Sequence, residues 1–312
     1  MPELPEVQTV VSDLNEKIKG DTIVGFWSEW PKAIKLASSA DEFSKKIKNR
    51  KILGARRIGK NIFIDLSGGK TLYIHLKMTG HLLVKKQETR DKEQKNSKSK
   101  KQSYFNDKVN QYIRHIFYLK SQKSKVKTAT QNLKLKNNYD KTLEFSDLRK
   151  FGKIVLDDTD KINNLKEIKA LGIDALDSKF TFKKFQEILE RKPNSKIGII
   201  LMDQNVISGI GNIYRSEILF DAKVLPERLV RSISKKDLEK IYKVTIKILK
   251  KAVKMRGTSD SDYRDTSGAP GSFQKVLKVY NKEKKSCQVC NTIIKREILG
   301  QRSVFICSSC QK

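Results

Sequence analysis

All four cysteines of the chain fall in its last 26 residues, as two Cys-x2-Cys pairs, Cys287/Cys290 and Cys307/Cys310, with 16 residues between them. No other feature restricts the fold as tightly. Two thiol pairs at this spacing, joined by a hairpin, make a tetrathiolate metal site, and Thr292 to Phe305 carries the β-branched residues that such a hairpin needs. Four sulfurs leave no open coordination position, so a single structural Zn2+ is expected, not a catalytic one. The chain starts with the acidic Met1-Pro2-Glu3-Leu4-Pro5-Glu6, which has no apolar signal-peptide core. An intracellular, cytoplasmic setting is therefore expected, where paired thiols serve as metal ligands more often than as disulfides.

The composition narrows the partner. Lys and Arg total 66 against 35 Asp and Glu, a net charge of +31. A field of that sign concentrates polyanions and makes their binding salt-dependent, which points to nucleic acid. No run approaches the ~18 apolar residues of a membrane span, and no basic amphipathic anchor stands out, so no membrane partner is expected.

Periodicity divides the rest. Val7, Val10, Val11, Leu14 and Ile18 have helical spacing after Pro5 and before Gly20. From about Thr22 to Leu156 the pattern is of short strands. The β-rich runs 61–66 and 71–76 flank the turn Ser67-Gly68-Gly69-Lys70, and 112–119, 143–145 and 153–156 continue the series, as in a sandwich or barrel. Two Lys/Ser/Gln/Asn-rich stretches, about 85–110 and 121–141, read as basic loop insertions. From Ile162 helices dominate. Thr181 is placed to cap a helix bearing Phe182, Phe185 and Leu189. Ser234-Lys235-Lys236-Asp237 resembles a capping box, before a helix with Leu238, Ile241, Tyr242, Thr245, Ile248, Leu249 and Ala252 on one face. Residues 257–271, rich in Gly, Ser, Asp and Pro, read as a long loop.

The segment Pro2-Glu3-Leu4-Pro5-Glu6-Val7 is similar to the start of formamidopyrimidine-DNA glycosylases. The likeness continues through Arg57-Ile58-Gly59-Lys60, His75-Leu76-Lys77-Met78-Thr79-Gly80, Asp147-Leu148-Arg149-Lys150-Phe151-Gly152, Leu201-Met202-Asp203-Gln204 and Gly209-Ile210-Gly211-Asn212-Ile213-Tyr214 to the cysteine pairs. These landmarks run in family order along essentially the whole chain. The resemblance implies an α+β fold: an N-terminal β-sandwich with a flanking helix (1–160), a helical domain with a helix–two-turn–helix motif (161–280) and a β-hairpin zinc finger (281–312). It also implies a monomeric, nucleoid-associated base-excision repair enzyme that acts on oxidised purines in damaged double-stranded DNA and also cleaves at abasic sites.

The resemblance gives each site residue an expected task. Removal of Met1 leaves Pro2 as a secondary amine. An α-amino group titrates near ~7.7–8.0 against ~10.4 for lysine, so a usable fraction is neutral and nucleophilic. Glu3 is the implied general acid/base, and Glu6 helps hold the site. Lys60 is assigned to the phosphates flanking the lesion and to catalysis. Asn212, after Gly209-Ile210-Gly211 at a helix start, suits a phosphate cradle. Extruding the target nucleotide leaves a gap that Met78, Arg149 and Phe151 would fill. Thr258 and Ser259 open the loop that would cap the extruded base. Arg302, near the hairpin turn of the finger, is expected on DNA. The usual Lys-bearing pattern is shifted at Ser195-Lys196-Ile197-Gly198, so Lys196 is carried only as a phosphate contact. Leu148 stands where proline is usual. Two other readings are an endonuclease VIII-like enzyme for oxidised pyrimidines and a nucleic-acid-binding zinc protein without chemistry. Leu4 and the Met78/Arg149/Phe151 set favour purines over the first, and the presence of Pro2, Glu3 and Lys60 argues against the second.

Overall fold

The computed structural model describes residues 1–87, 104–122, 139–260 and 262–312. Helix α1 (Leu4–Lys17) opens the chain. Strands β1 (Thr22–Ser28), β2 (Ile34–Lys35), β3 (Arg50–Ile58), β4 (Asn61–Leu66), β5 (Lys70–His75), β6 (His81–Lys86), β7 (Ile113–Lys120), β8 (Lys141–Ser146) and β9 (Lys153–Asp158) follow, with helix α2 (Ala40–Ile47) between β2 and β3. They form one hydrogen-bonded sheet in the order β2-β9-β5-β4-β3-β1-β7-β8-β6. The expected sandwich is therefore two layers of one bent sheet. Its bend lies at β1, which pairs with β7 along its length but with β3 only at Thr22↔Lys51 and Ile23↔Arg50. Ile62, Ile64, Leu72 and Ile154 of one layer meet Leu82, Phe117, Leu143 and Phe145 of the other in a single core.

Helix α1 straddles two cores. Val7, Val10, Val11 and Leu14 pack into the sheet core, whereas Leu4, one turn earlier, packs among the helices of the second half. Burial of each such side chain contributes about 1.5–3 kcal/mol, so the first turn of the chain is fastened from both sides.

The second half contains α3 (Thr159–Asn163), α4 (Lys166–Lys169), α5 (Phe182–Glu190), α6 (Ile197–Ile200), α7 (Asn212–Ala222) and α8 (Lys235–Lys254), with a short parallel ladder between β10 (Ile173–Asp174) and β11 (Ile207–Ser208). Both expected caps are present: Thr181 Oγ1 accepts from Lys184 N at 3.2 Å and Ser234 Oγ from Asp237 N at 3.1 Å. The chain closes with the hairpin of β12 (Lys295–Leu299) and β13 (Arg302–Ile306). Gly300 and Gln301 both have positive φ, as a tight two-residue hairpin turn requires. Arg302 thus begins the second strand and does not sit in the turn.

Most of the two basic stretches lies outside the described residues. What is described corrects the expectation of a loop as far as residue 110. Tyr104–Asn106 and Lys108–Gln111 form 3-10 turns, and fully buried Asn110 donates to Tyr104 O at 2.7 Å and to Gly268 O at 3.1 Å. A buried amide that bonds a segment 158 residues away makes this part of the core.

His115 on β7 is buried between the rings of Phe26 and Phe145, and neither ring nitrogen has a hydrogen-bond partner among the described residues. Burial, aided by Arg114, lowers its pKa from 6.5 to about 4. The unfolded chain therefore binds the proton first, and stability falls as pH drops from about 6.5 to about 4. His115→Phe should remove up to about 3 kcal/mol of this acid sensitivity. Urea unfolding at pH 7 and pH 4.5 checks it, and an equally steep loss in the variant would refute it.

Candidate active site

The fastened first turn sets the geometry of the centre. Glu3 caps α1 while its carboxylate reaches the start of α7, where Oε2 accepts from Gly211 N at 2.8 Å and Oε1 from Ile213 N at 3.0 Å. Unpaired amides and the positive end of the helix dipole favour an anion there. A Cβ at Gly211 would lie 2.4 Å from Glu3 Cδ, so only glycine permits the approach. Gly211→Ala should displace the carboxylate and slow base release at least ~10-fold in single-turnover assays. DNA affinity should hold, and an unchanged rate would show that the position of Glu3 is not critical.

Glu6 is the second fastening. Its carboxylate accepts from Glu3 N at 2.7 Å, Tyr214 Oη at 2.6 Å and Thr258 N at 2.7 Å, so it ties the N-terminus to α7 and to the loop after α8. Burial, then the neighbouring Glu3, raises its pKa. Thr258 Oγ1 lies 3.1 Å from Tyr214 Oη, and Ser259 donates its amide to Gln274 and its hydroxyl to Tyr263 O. Thr258 and Ser259 are thus the bonded root of the 257–271 loop.

Lys60 sits in the two-residue turn between β3 and β4, with only 6% of its surface exposed. Burial lowers the pKa of its ammonium, while Glu3 and Glu6 oppose the shift and Arg302 adds to it. The turn is braced from the helical half. Asp174 accepts from Gly59 N at 2.7 Å and pairs with Arg57, whose Nε donates to Gln8 at 2.7 Å. Met1, which is exposed, lines a cavity of about 340 Å³ together with Lys60, His75, Lys77 and Gln204, and Pro2 is buried. Burial, then Lys77 and Lys60, brings His75 down to about 4, so the ring is neutral at pH 7.

Met78, Arg149 and Phe151, expected to fill the gap, meet on two loops, β5 to β6 and β8 to β9. Met78 and Phe151 are 44% and 53% exposed, with Arg149 between them: Nη1 is 3.1 Å from Met78 Sδ and the guanidinium 4.8 Å from the Phe151 ring centroid. The Asp147 carboxylate fixes the loops together through Thr79 Oγ1 and Gly152 N.

Asn212 begins α7 and accepts from Arg215 Nη2 at 2.6 Å. Arg215 is buried and also donates to Ser303 O of the finger, and burial lowers its pKa to about 10. Arg302 is exposed and close enough to act electrostatically on both Lys60 and Arg215. Lys196 is exposed at the start of α6, with no contact to the centre among the described residues. The four sulfurs lie within 4.8 Å of one another, with close pairs at 3.3–3.8 Å. Four thiolates ~2.3 Å from one tetrahedral ion would stand ~3.8 Å apart, so the set fits such a metal. Val289 N points at Cys287 Sγ at 3.4 Å, as expected of a metal knuckle.

Several residues of the site carry no sequence signal. Arg215 and Asp174 read as ordinary helix or strand residues, and Tyr214 enters only as the last residue of the Gly209–Tyr214 landmark, with no task attached to it. Glu217 is buried and accepts from the amides of Lys278, Val279 and Tyr280, which holds the approach to the finger. Its role becomes visible only once those amides are placed.

A carboxylate-lined N-terminus at a sheet–helix seam, with two loops that present Met78 and Phe151 to solvent and a four-cysteine hairpin, is the arrangement of a DNA glycosylase of base-excision repair. The formamidopyrimidine-DNA glycosylase N-terminal domain matches residues 1–154 and the H2TH domain of the same enzymes residues 171–264. The chain belongs to the formamidopyrimidine-DNA glycosylase family. It is 34% identical to the formamidopyrimidine-DNA glycosylase of Pelotomaculum thermopropionicum over 100% of this chain and 99% of that one. With the enzyme of that name from Carboxydothermus hydrogenoformans it shares 34% over the whole of both. Among solved structures, it is similar to Lactococcus lactis Fpg in complex with DNA containing an abasic site, at TM-score 0.78 and 25% identity over 99% of each chain. A complex of that protein with Fapy-dG-containing DNA gives 0.77 at 25% identity, over 99% of this chain and all of the other.

Proposed function

We propose that this enzyme excises oxidised purines, 8-oxoguanine and formamidopyrimidines, from duplex DNA through a Schiff base on Pro2, and then cleaves the strand. The observation that carries the reading is the seating of Pro2 and Glu3: the residue that would bear the amine is buried next to a carboxylate held on the α7 amides, and Met1 shares a cavity with Lys60. Removal of Met1 frees the Pro2 nitrogen at that cavity.

The neutral amine attacks C1′ of the extruded nucleotide, and the base leaves with the glycosidic electron pair and a proton. Ring opening, with the sugar oxygen protonated from the Glu3 side, gives an iminium at C1′. The iminium draws electron density, so a C2′ proton is lost and the 3′ phosphate is expelled, and a second elimination expels the 5′ phosphate. Lys60 is assigned to the flanking phosphate, and Asn212, Arg302 and Lys196 to the backbone. Met78, Arg149 and Phe151 fill the vacated stack, and the loop rooted at Thr258 and Ser259 closes over the base. Cys287, Cys290, Cys307 and Cys310 would hold one Zn2+, which as a closed tetrathiolate site supplies a cross-link. One centre per chain is complete in a monomer.

The test is borohydride trapping on an 8-oxoguanine:cytosine duplex after intact mass confirms loss of Met1. The expected adduct maps to the N-terminal peptide, weakens in Pro2→Gly and disappears when the amine is blocked. An adduct that survives blocking would make a lysine the nucleophile. Trapping confined to oxidised pyrimidines would replace the purine reading with the endonuclease VIII-like one, and no adduct on any lesion would end the enzyme reading.

A further inference from the structure

Helix α8 is lysine-covered in a way the catalytic centre does not explain. Its buried face, Leu238, Ile241, Thr245, Ile248, Leu249 and Ala252, packs toward α7 and α1 and so toward the centre. Successive helix residues are ~100° apart. On the side opposite the buried face, every position in a sector about 100° wide is lysine: Lys236, Lys240, Lys243, Lys247, Lys250, Lys251 and Lys254. With 66 Lys and Arg in 312 residues, seven positions would hold one or two cations by composition (7 × 66/312 ≈ 1.5). Among the described residues only Lys243 of the seven has a carboxylate partner, Glu239 at 2.6 Å. Neighbours at i+3 and i+4 within the row repel one another, a penalty that a bound polyanion would relieve.

We propose that this face is a second, sequence-independent track for duplex DNA, which holds an undamaged segment while the centre holds another. The row runs ~27 Å from Lys236 to Lys254, a length of duplex that carries about 16 phosphates at one charge per ~1.7 Å. Ammonium groups without interleaved aromatics match phosphates and not bases, which excludes base readout and the stacking that single strands use. Because the sector points away from α7 and α1, the duplex in the centre cannot lie straight across it. The helix that carries the track ends at Lys254, shortly before Thr258, whose amide donates to Glu6. The inference rests on the reading that the enzyme binds DNA and goes beyond it.

The test uses the full-length quadruple variant Lys240→Gln, Lys243→Gln, Lys247→Gln, Lys250→Gln, with the matching Lys→Arg set as the charge-preserving control. On undamaged duplex, the slope of log affinity against log salt should fall by about three to four for Gln and stay unchanged for Arg. Native protein bound to an immobilised abasic-analogue duplex should capture a labelled undamaged duplex. The Gln variant should lose that capture, while its excision from a short lesion duplex is unchanged. An unchanged salt slope would overturn the track. So would equal losses of lesion-duplex affinity and excision, which would place the row in the primary interface. Stronger competition by RNA or anionic vesicles than by duplex DNA would overturn the choice of partner. Failure of the native protein to bind the immobilised duplex at all would count against the glycosylase reading instead.

Discussion

Glu3→Gln should reduce base release by about 10²–10⁴-fold, the range that loss of a general acid/base costs, while DNA binding changes little. The substitution is nearly isosteric, and the amide oxygen can still accept from α7. Its NH2, however, must face one of the amides that both carboxylate oxygens now satisfy. An unpaired buried donor costs about 1–3 kcal/mol, so a modest fall in melting temperature should accompany the kinetic defect. Single-turnover excision separates the two effects, because a merely destabilised enzyme recovers its rate at lower temperature and one lacking its acid does not. Excision within tenfold of native would remove Glu3 from the chemistry and leave it as the cap that joins α1 to α7.

Removal of the Zn2+ proposed for the four-cysteine hairpin should lower DNA affinity at least tenfold and melt the hairpin separately from the rest. The reason is the size of its core. Phe220, Val279, Ile294 and Phe305 surround Cys287 and Cys307, and Leu299, Val304 and Ile306 form a second small cluster. A unit this small rarely buries enough apolar area to offset its chain entropy without a metal or disulfides. With the hairpin loose, Ser303 O no longer holds buried Arg215, and Arg302 loses its position near Lys60. Titration of four free thiols establishes the apo state, fluorescence anisotropy with a lesion duplex reads the affinity, and added Zn2+ should restore it. Native affinity in verified apo-protein would refute the role of the hairpin.

The sequence was legible wherever the physics is local. Ser234 and Thr181 cap helices because the amides they satisfy are three residues away. The cysteine pairs were legible as one four-sulfur cluster because their number and spacing are local, and their sulfurs do lie within 4.8 Å of one another. The sandwich was legible as strands but not as one bent sheet, since the two-residue pairing of β1 with β3 has no sequence signature. Asn110 lay in a stretch that reads as polar loop, and its burial depends on Gly268.

Pro2 shows where the division falls. By itself the sequence determined the residue types and their order: a proline that can become the N-terminal amine, Glu3 beside it, Lys60 after Gly59, a glycine-flanked helix start and four paired thiols. Only the tertiary structure decided that Glu3 lies on amides 208 and 210 residues away, that Glu6 joins Tyr214 to Thr258, and that Arg149 bridges Met78 and Phe151. Chain-local rules act over one or two turns. The centre instead depends on α1 being packed into two cores at once, a long-range burial that no window of sequence contains.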